Sequence, residues 1–166
     1  HTGAGNFGHQ IHLAYQGLDN VEFVSIADPD PEGRAKAAGA SGATASYADY
    51  HQMLAEEDLD IVSVCPRGTS ERLEMVLDCL EANGHVYCEK PIASTVADGE
   101  KMVVACQTLG SLLVVNHNRR FESNYRQLRD QIRAGKLGRL TSVMVQWTSG
   151  RLGNVGTHMF DAVRML

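Results

Sequence analysis

Hydrophobic residues fall into short runs separated by helix-like stretches, and the alternation is regular to about residue 117. Val21 to Ala27 is nearly all apolar, the pattern of a parallel strand covered on both faces. Residues 31–40 are alanine-rich and predict a helix. Thr44 to Tyr47 predicts a short strand, and Asp49 to Ala55 a helix. Ile61 to Cys65 is another buried-strand run, stopped by Pro66. Leu73, Val76, Leu77 and Leu80 recur at i, i+3, i+4 and i+7, one face of a helix, which Gly84 ends. His85 to Cys88 predicts a strand that must stop before Pro91, because proline has no N–H for the ladder. Thr95 and Asp98 form a capping box that opens a helix to about Leu109. Gly110 closes it, and Leu112 to Val115 is a further strand. With a helix over residues 6–17 ahead of them all, this order predicts a parallel, doubly wound α/β sheet.

Past residue 117 the pattern changes. Asn118 to Phe121 is a polar and aromatic connector, Tyr125 to Ala134 a helix, and Leu140 to Trp147 a long strand. Gly153 to Gly156 reads as a turn and Thr157 to Leu166 as a helix. A lone strand is not stable without partners. The expected organisation is therefore a doubly wound domain over 1–117, lacking its first strand, followed by the beginning of a second α+β domain over 118–166.

Composition adds limits. Of 166 residues, 43% are hydrophobic and 21% charged, the balance of an ordinary folded domain. A net charge of -5 gives no reason to expect a nucleic-acid partner. Arg126, Arg129, Arg133 and Lys136 recur at helical spacing and read as a solvated face. Cys65, Cys79, Cys88 and Cys106 contain no C-x-x-C pair and sit in apolar runs. They read as reduced, buried thiols, which points to a reducing, cytoplasmic setting without a metal site. No apolar run approaches the roughly 20 residues that span a bilayer, so no membrane partner is expected. The chain opens on His1 without a signal-like segment or an initiator Met, which leaves targeting open.

Three stretches carry candidate chemistry. Gly3-Ala4-Gly5-Asn6-Phe7-Gly8 fits G-x-G-x-x-G, whose glycines turn tightly, admit a pyrophosphate and pack a helix on its strand; a simple turn is the competing reading. Asp28 stands 20 residues past Gly8, where a ribose-binding acid belongs. A carboxylate there accepts from both ribose hydroxyls and repels a 2′-phosphate, so NAD is expected over NADP. Asp28-Pro29-Asp30-Pro31 is also good turn chemistry, but the upstream glycines favour the acid. Lys90, in Glu89-Lys90-Pro91, is delivered to the carboxyl end of a strand, the edge at which open α/β sheets bind ligands. By itself it is either a solvated charge or a working group. His158 beside Asp161 reads, by itself, as a structural i, i+3 pair. His12, His51 and His117 read as structural.

Together these motifs resemble the glucose–fructose oxidoreductase / inositol dehydrogenase / MocA family. The resemblance is most specific at His85-Val86-Tyr87-Cys88-Glu89-Lys90-Pro91. It continues through Asn118-Arg119-Arg120-Phe121 and Gly156-Thr157-His158-Met159-Phe160-Asp161. It implies a Rossmann-type cofactor domain followed by a substrate and oligomerisation domain. The implied activity is hydride transfer between NAD and a carbinol or carbonyl carbon of a sugar, polyol or inositol, in a homo-oligomer when full length. Lys90 would hydrogen-bond the reacting oxygen, His158 would be the general acid/base, and Arg119 and Asn154 would meet substrate. Pro66, Arg67, Glu89 and Lys90 would face the cofactor, and the Lys90–Pro91 bond is expected to be cis. Departures are Asn154 in place of an aspartate, and Arg67 and Ser70 in place of an Asn and a His. They keep open a non-catalytic NAD-binding sensor on the same fold. A SAM-dependent methyltransferase, which also uses a glycine loop and an acid, is disfavoured by Glu-Lys-Pro.

Overall fold

The computed structural model describes residues 11–66, 68–82, 84–148 and 150–166. The chain divides into two compact units, His1–Val115 and Asn116–Leu166.

In the first unit, every strand pairing is parallel. Strand β1 (Ser25–Ala27) pairs with β2 (Ala45–Tyr47), in register from Ser25 opposite Ala45. Strand β3 (Ile61–Val64) pairs with β4 (His85–Cys88), and β4 with β5 (Leu113–Val115). The order is therefore β2-β1 and β3-β4-β5, running outward in opposite senses from the space between β1 and β3. This is the doubly wound arrangement that the alternating pattern predicts, and its switch point lies at that space.

Local chemistry sets the helices between these strands. Asp30 caps α2 (Pro31–Ser41), accepting from the N–H groups of Glu32 and Gly33, and Gly42 ends it in the left-handed conformation. Asp49 caps α3 (Tyr50–Glu56) through the N–H of His51. Helix α4 (Arg72–Glu81) buries the stripe Arg72, Val76, Cys79 and Leu80. Thr95 caps α5 (Val96–Leu109): its Oγ1 accepts from the N–H of Asp98 at 3.1 Å, and its hydroxyl donates to the Asp98 carboxylate at 2.8 Å. Helices α2 and α3 lie against β1 and β2, while α4 lies against β3, β4 and α5. The core gathers Val62, Val64, Val76, Leu80, Val86 and Met102, so the apolar runs of β3 and β4 meet the stripe of α4.

Two expectations are corrected here. The run Val21–Ala27 forms a strand only over its last three residues. Val21 to Val24 instead line, with Tyr15 and Asp60 to Ser63, a cavity of about 390 Å³ between β1 and β3. Among the described residues no strand lies there to pair with them, so they are apolar without being in a ladder. The helix expected over 6–17 is a single turn within the described residues, α1 (His12–Tyr15), and Gln16 is already extended; residues 6–10 lie outside them. The Tyr15 and Ser63 hydroxyls, 2.8 Å apart, tie this turn to β3.

The second unit begins with a 3-10 turn, Asn118–Phe121, and α6 (Ser123–Arg133). A π-helical turn, Leu152–Gly156, leads into α7 (Thr157–Met165). The expected strand Leu140–Trp147 does not form. Its residues have β-type side chains, but a strand needs a neighbour to accept its hydrogen bonds, and Met144 is left 91% exposed. The expected turn at Gly153–Gly156 is instead the π-helical turn. On α6 the basic residues face outward: Arg126 covers the Phe121 ring at 5.6 Å and Arg129 pairs with Asp130. No described helix is long and apolar enough to cross a membrane.

Candidate active site

The carboxyl ends of the parallel strands carry the candidate residues of the first unit. Asp28 follows β1 directly and is 3% exposed. Its Oδ1 accepts the N–H of Asp30 at 2.9 Å, and its backbone carbonyl accepts from the Arg34 guanidinium. The bond from Asp30 is an Asx turn, the chemistry of the competing reading, and the burial of Asp28 comes in addition to it. Beside it opens a cavity of about 360 Å³, whose lining includes Asp28, Tyr50, His51, Glu71, Glu74 and Met75.

The wall contributed by α3 is aromatic. Tyr50 and His51 stack with ring centroids 4.0 Å apart. The Tyr50 hydroxyl donates to Asp78 at 2.6 Å, and burial together with that bond pushes its pKa up. The His51 pKa is raised by its hydrogen bond to Asp49. The Asp49 carboxyl is lowered, first by the His51 N–H and then by the ring. His51, expected to be only structural, thus lines this cavity.

These walls suit an adenosine. A flat purine matches ring and methionine surfaces, and ribose hydroxyls match a carboxylate acceptor. Among the described lining residues there is no Lys or Arg and four are carboxylates, while the Arg34 guanidinium lies just outside, on the Asp28 carbonyl. Gly3, Ala4, Gly5, Asn6 and Phe7, the expected pyrophosphate loop, lie outside the described residues, as does Arg67.

Beyond β3 and β4 the chain turns through Pro66 and through Glu89-Lys90-Pro91. The ladder runs to its last rung, where the Glu89 N–H donates to Val64 at 3.0 Å. Glu89 is 2% exposed, and its carboxylate accepts the Lys90 N–H at 3.2 Å. The Lys90–Pro91 peptide is cis. Arg72, which belongs to no sequence motif, is buried here and donates to backbone carbonyls of both turns. Its signal was available: position 72 stands four and eight residues before Val76 and Leu80, on the buried face.

The second unit carries Arg119, Asn154 and His158. His158 opens α7 and is 7% exposed. The ring of His117 meets it edge-on, with centroids 5.7 Å apart at 89°. Arg120 donates to both oxygens of Asp161, Nε at 2.9 Å and Nη2 at 2.8 Å, and His117 Nδ1 lies 4.0 Å from the same carboxylate. Asp161 is therefore engaged by the connector, not reserved for the ring three residues before it. His117, expected to be incidental, belongs to this cluster. Asn154 sits within the π-helical turn, where its carbonyl accepts from the Thr157 hydroxyl. Gly156 leaves space for close packing, since a Cβ there would meet Leu152 Cδ1 at 2.8 Å and Trp147 at 3.3 Å. Arg119 lies half-buried on the 3-10 turn. Among the described residues no group of His, Cys, Asp and Glu could hold a metal ion.

The family model described as "Oxidoreductase family, NAD-binding Rossmann fold" matches residues 2–117, and the chain belongs to that family, known as Gfo/Idh/MocA. It is 35% identical over 136 residues to 4-carboxy-2-hydroxymuconate-6-semialdehyde dehydrogenase of Sphingobium sp., covering 82% of this chain and 43% of that protein. It is 34% identical over 137 residues to D-apiose dehydrogenase of Paraburkholderia graminis, covering 82% and 36%. Among solved structures it resembles the WlbA dehydrogenase of Bordetella pertussis in complex with NADH and UDP-GlcNAcA. There the TM-score is 0.82 at 26% identity, over 99% of this chain and 56% of that one. The chain thus spans about two-fifths of the length of these curated relatives.

Proposed function

We propose that this chain carries the cofactor-binding part of an NAD-dependent oxidoreductase acting on a carbinol or carbonyl carbon of a sugar, polyol or inositol. The observation that carries the reading is the Glu89-Lys90-Pro91 turn at the carboxyl end of β4, with buried Asp28 at the carboxyl end of β1, in a chain of this family. Relatives named as D-apiose dehydrogenase and myo-inositol 2-dehydrogenase support the substrate class.

Bound NAD would supply the hydride acceptor or donor. Asp28 would hold the adenosine ribose hydroxyls and reject a 2′-phosphate. Backbone N–H groups of Gly3 to Phe7 would hold the pyrophosphate, with Pro66, Arg67 and Glu89 lining the rest of the cofactor's path. Lys90 would donate to the reacting oxygen through Nζ, stabilising negative charge as it develops. The His158 imidazole would take or return the hydroxyl proton, since its ordinary pKa lies near working pH. Asn154 and Arg119 would orient substrate; an amide holds a hydroxyl but takes no proton.

Titration of the chain with NADH and NADPH tests the cofactor half. NADH should bind at least ten-fold more tightly, and Asp28→Asn should narrow that ratio. Turnover across a sugar and polyol panel, in a protein that also carries the remainder of the family's second domain, tests the chemistry. Lys90→Ala and His158→Ala should each lower kcat by about 10²-fold or more; near-normal turnover in both would refute the roles. The substitution at Asn154 favours one second reading, a non-catalytic NAD-binding sensor. That reading expects tight NADH binding with no turnover on any member of the panel.

A further inference from the structure

Arg72 occupies a position that asks for an apolar residue. It lies on the α4 stripe with Val76, Cys79 and Leu80, and it is 2% exposed. A cation placed there loses its hydration and must be repaid by good hydrogen bonds. Those bonds go to two different loops. Nη2 donates to the carbonyls of Pro66 at 2.8 Å and Gly68 at 3.4 Å, both after β3. Nη1 donates to the carbonyl of Pro91, one residue past Lys90 and after β4. The Nε–H has no partner among the described residues, so stability alone does not explain the choice of arginine.

The β3–β4 ladder reaches Glu89 N–H and goes no further. Beyond it, the guanidinium joins the two loops. Its donors form a rigid planar fork that a lysine cannot reproduce. A second link, between the Thr69 and Ser94 hydroxyls, spans the same two loops at the surface.

We infer that Arg72 is a positioning residue. It fixes the Lys90–Pro91 turn against Pro66 and Gly68, and so holds the Lys90 ammonium at one place over the strand ends. The inference rests on the role proposed above for Lys90. Arg72 is buried and bonded to backbone carbonyls, so it acts through the backbone on either side.

The test compares wild type, Arg72→Met and Arg72→Lys by amide hydrogen exchange and by NADH titration. Residues 66–70 and 89–93 should exchange at least ten-fold faster in both variants, with β3, β4 and the body of α4 unchanged. The NADH Kd should rise about ten-fold in both, and the methionine variant should melt within a few degrees of wild type. Arg72→Lys keeps the charge and loses the fork, so rescue by lysine would overturn the inference. So would wild-type exchange in both loops, or faster exchange spread evenly over α4 and the sheet, the mark of a merely structural side chain. Loosened loops with unchanged NADH affinity would overturn the positioning role while leaving the link. If wild type itself fails to bind NADH, the proposed function falls, and the exchange data alone decide whether Arg72 ties the loops.

Discussion

At the scale of single residues, burial decides reactivity. Cys65, Cys79 and Cys88 are buried free thiols. Burial pushes Cys65 and Cys79 up to about 12, and Cys88 up to about 11. At pH 8 a thiol of pKa 12 is ionised to roughly one part in ten thousand, against about one in four at the ordinary 8.5. Cys106 is partly exposed, its Sγ donating to the Ser111 carbonyl. A native-state titration with Ellman's reagent at pH 8 should therefore release one equivalent quickly and the other three only on unfolding. Asp28 and Lys90 were readable as candidates because proline and turn chemistry mark strand ends. His117 was not, and Arg72 was only through its place on the apolar stripe of α4. A helical arginine is ordinarily taken as solvated, and a lone histidine as incidental; only the assembled loops and the Arg120–Asp161 cluster show what surrounds them.

Elements followed from the sequence wherever a cap or a stripe marked them. Helices α2, α3 and α5 begin and end within a residue or two of the expected positions, because Asp30, Asp49, Thr95, Gly42 and Gly110 carry the boundary chemistry. Strand ends were less legible. An apolar run signals a buried place, and Val21 to Val24 show that such a place can be a cavity wall as well as a ladder. Leu140 to Trp147 show that β-type residues do not make a strand without a neighbour. The stripe of α4 gives a quantitative check. Leu80 is fully buried in the core, so Leu80→Ala should cost about 2–5 kcal/mol. Leu128 on α6 is 40% exposed, and Leu128→Ala should stay within about 1 kcal/mol. Urea unfolding of both variants measures the difference.

For the molecule as a whole, cohesion is uneven. Strand β4 is paired on both sides, whereas β1 and β2 form a two-stranded pair among the described residues. Two strands alone are marginal, and local opening follows the least supported backbone. Hydrogen exchange followed by mass spectrometry should find the amides of Val86 to Cys88 slowest. Those of Ser25–Ala27 and Ala45–Tyr47 should exchange at least ten-fold faster. Equal protection across both pairs would mean that the first unit opens as one body.

The clasp between Arg120 and Asp161 has a genetic consequence. It fastens the opening turn of α7 to a connector residue 38 positions upstream of the imidazole that the turn presents. An allele altered only at position 120 would leave position 158 unchanged and still loosen the helix that carries it, so its phenotype would report lost anchorage.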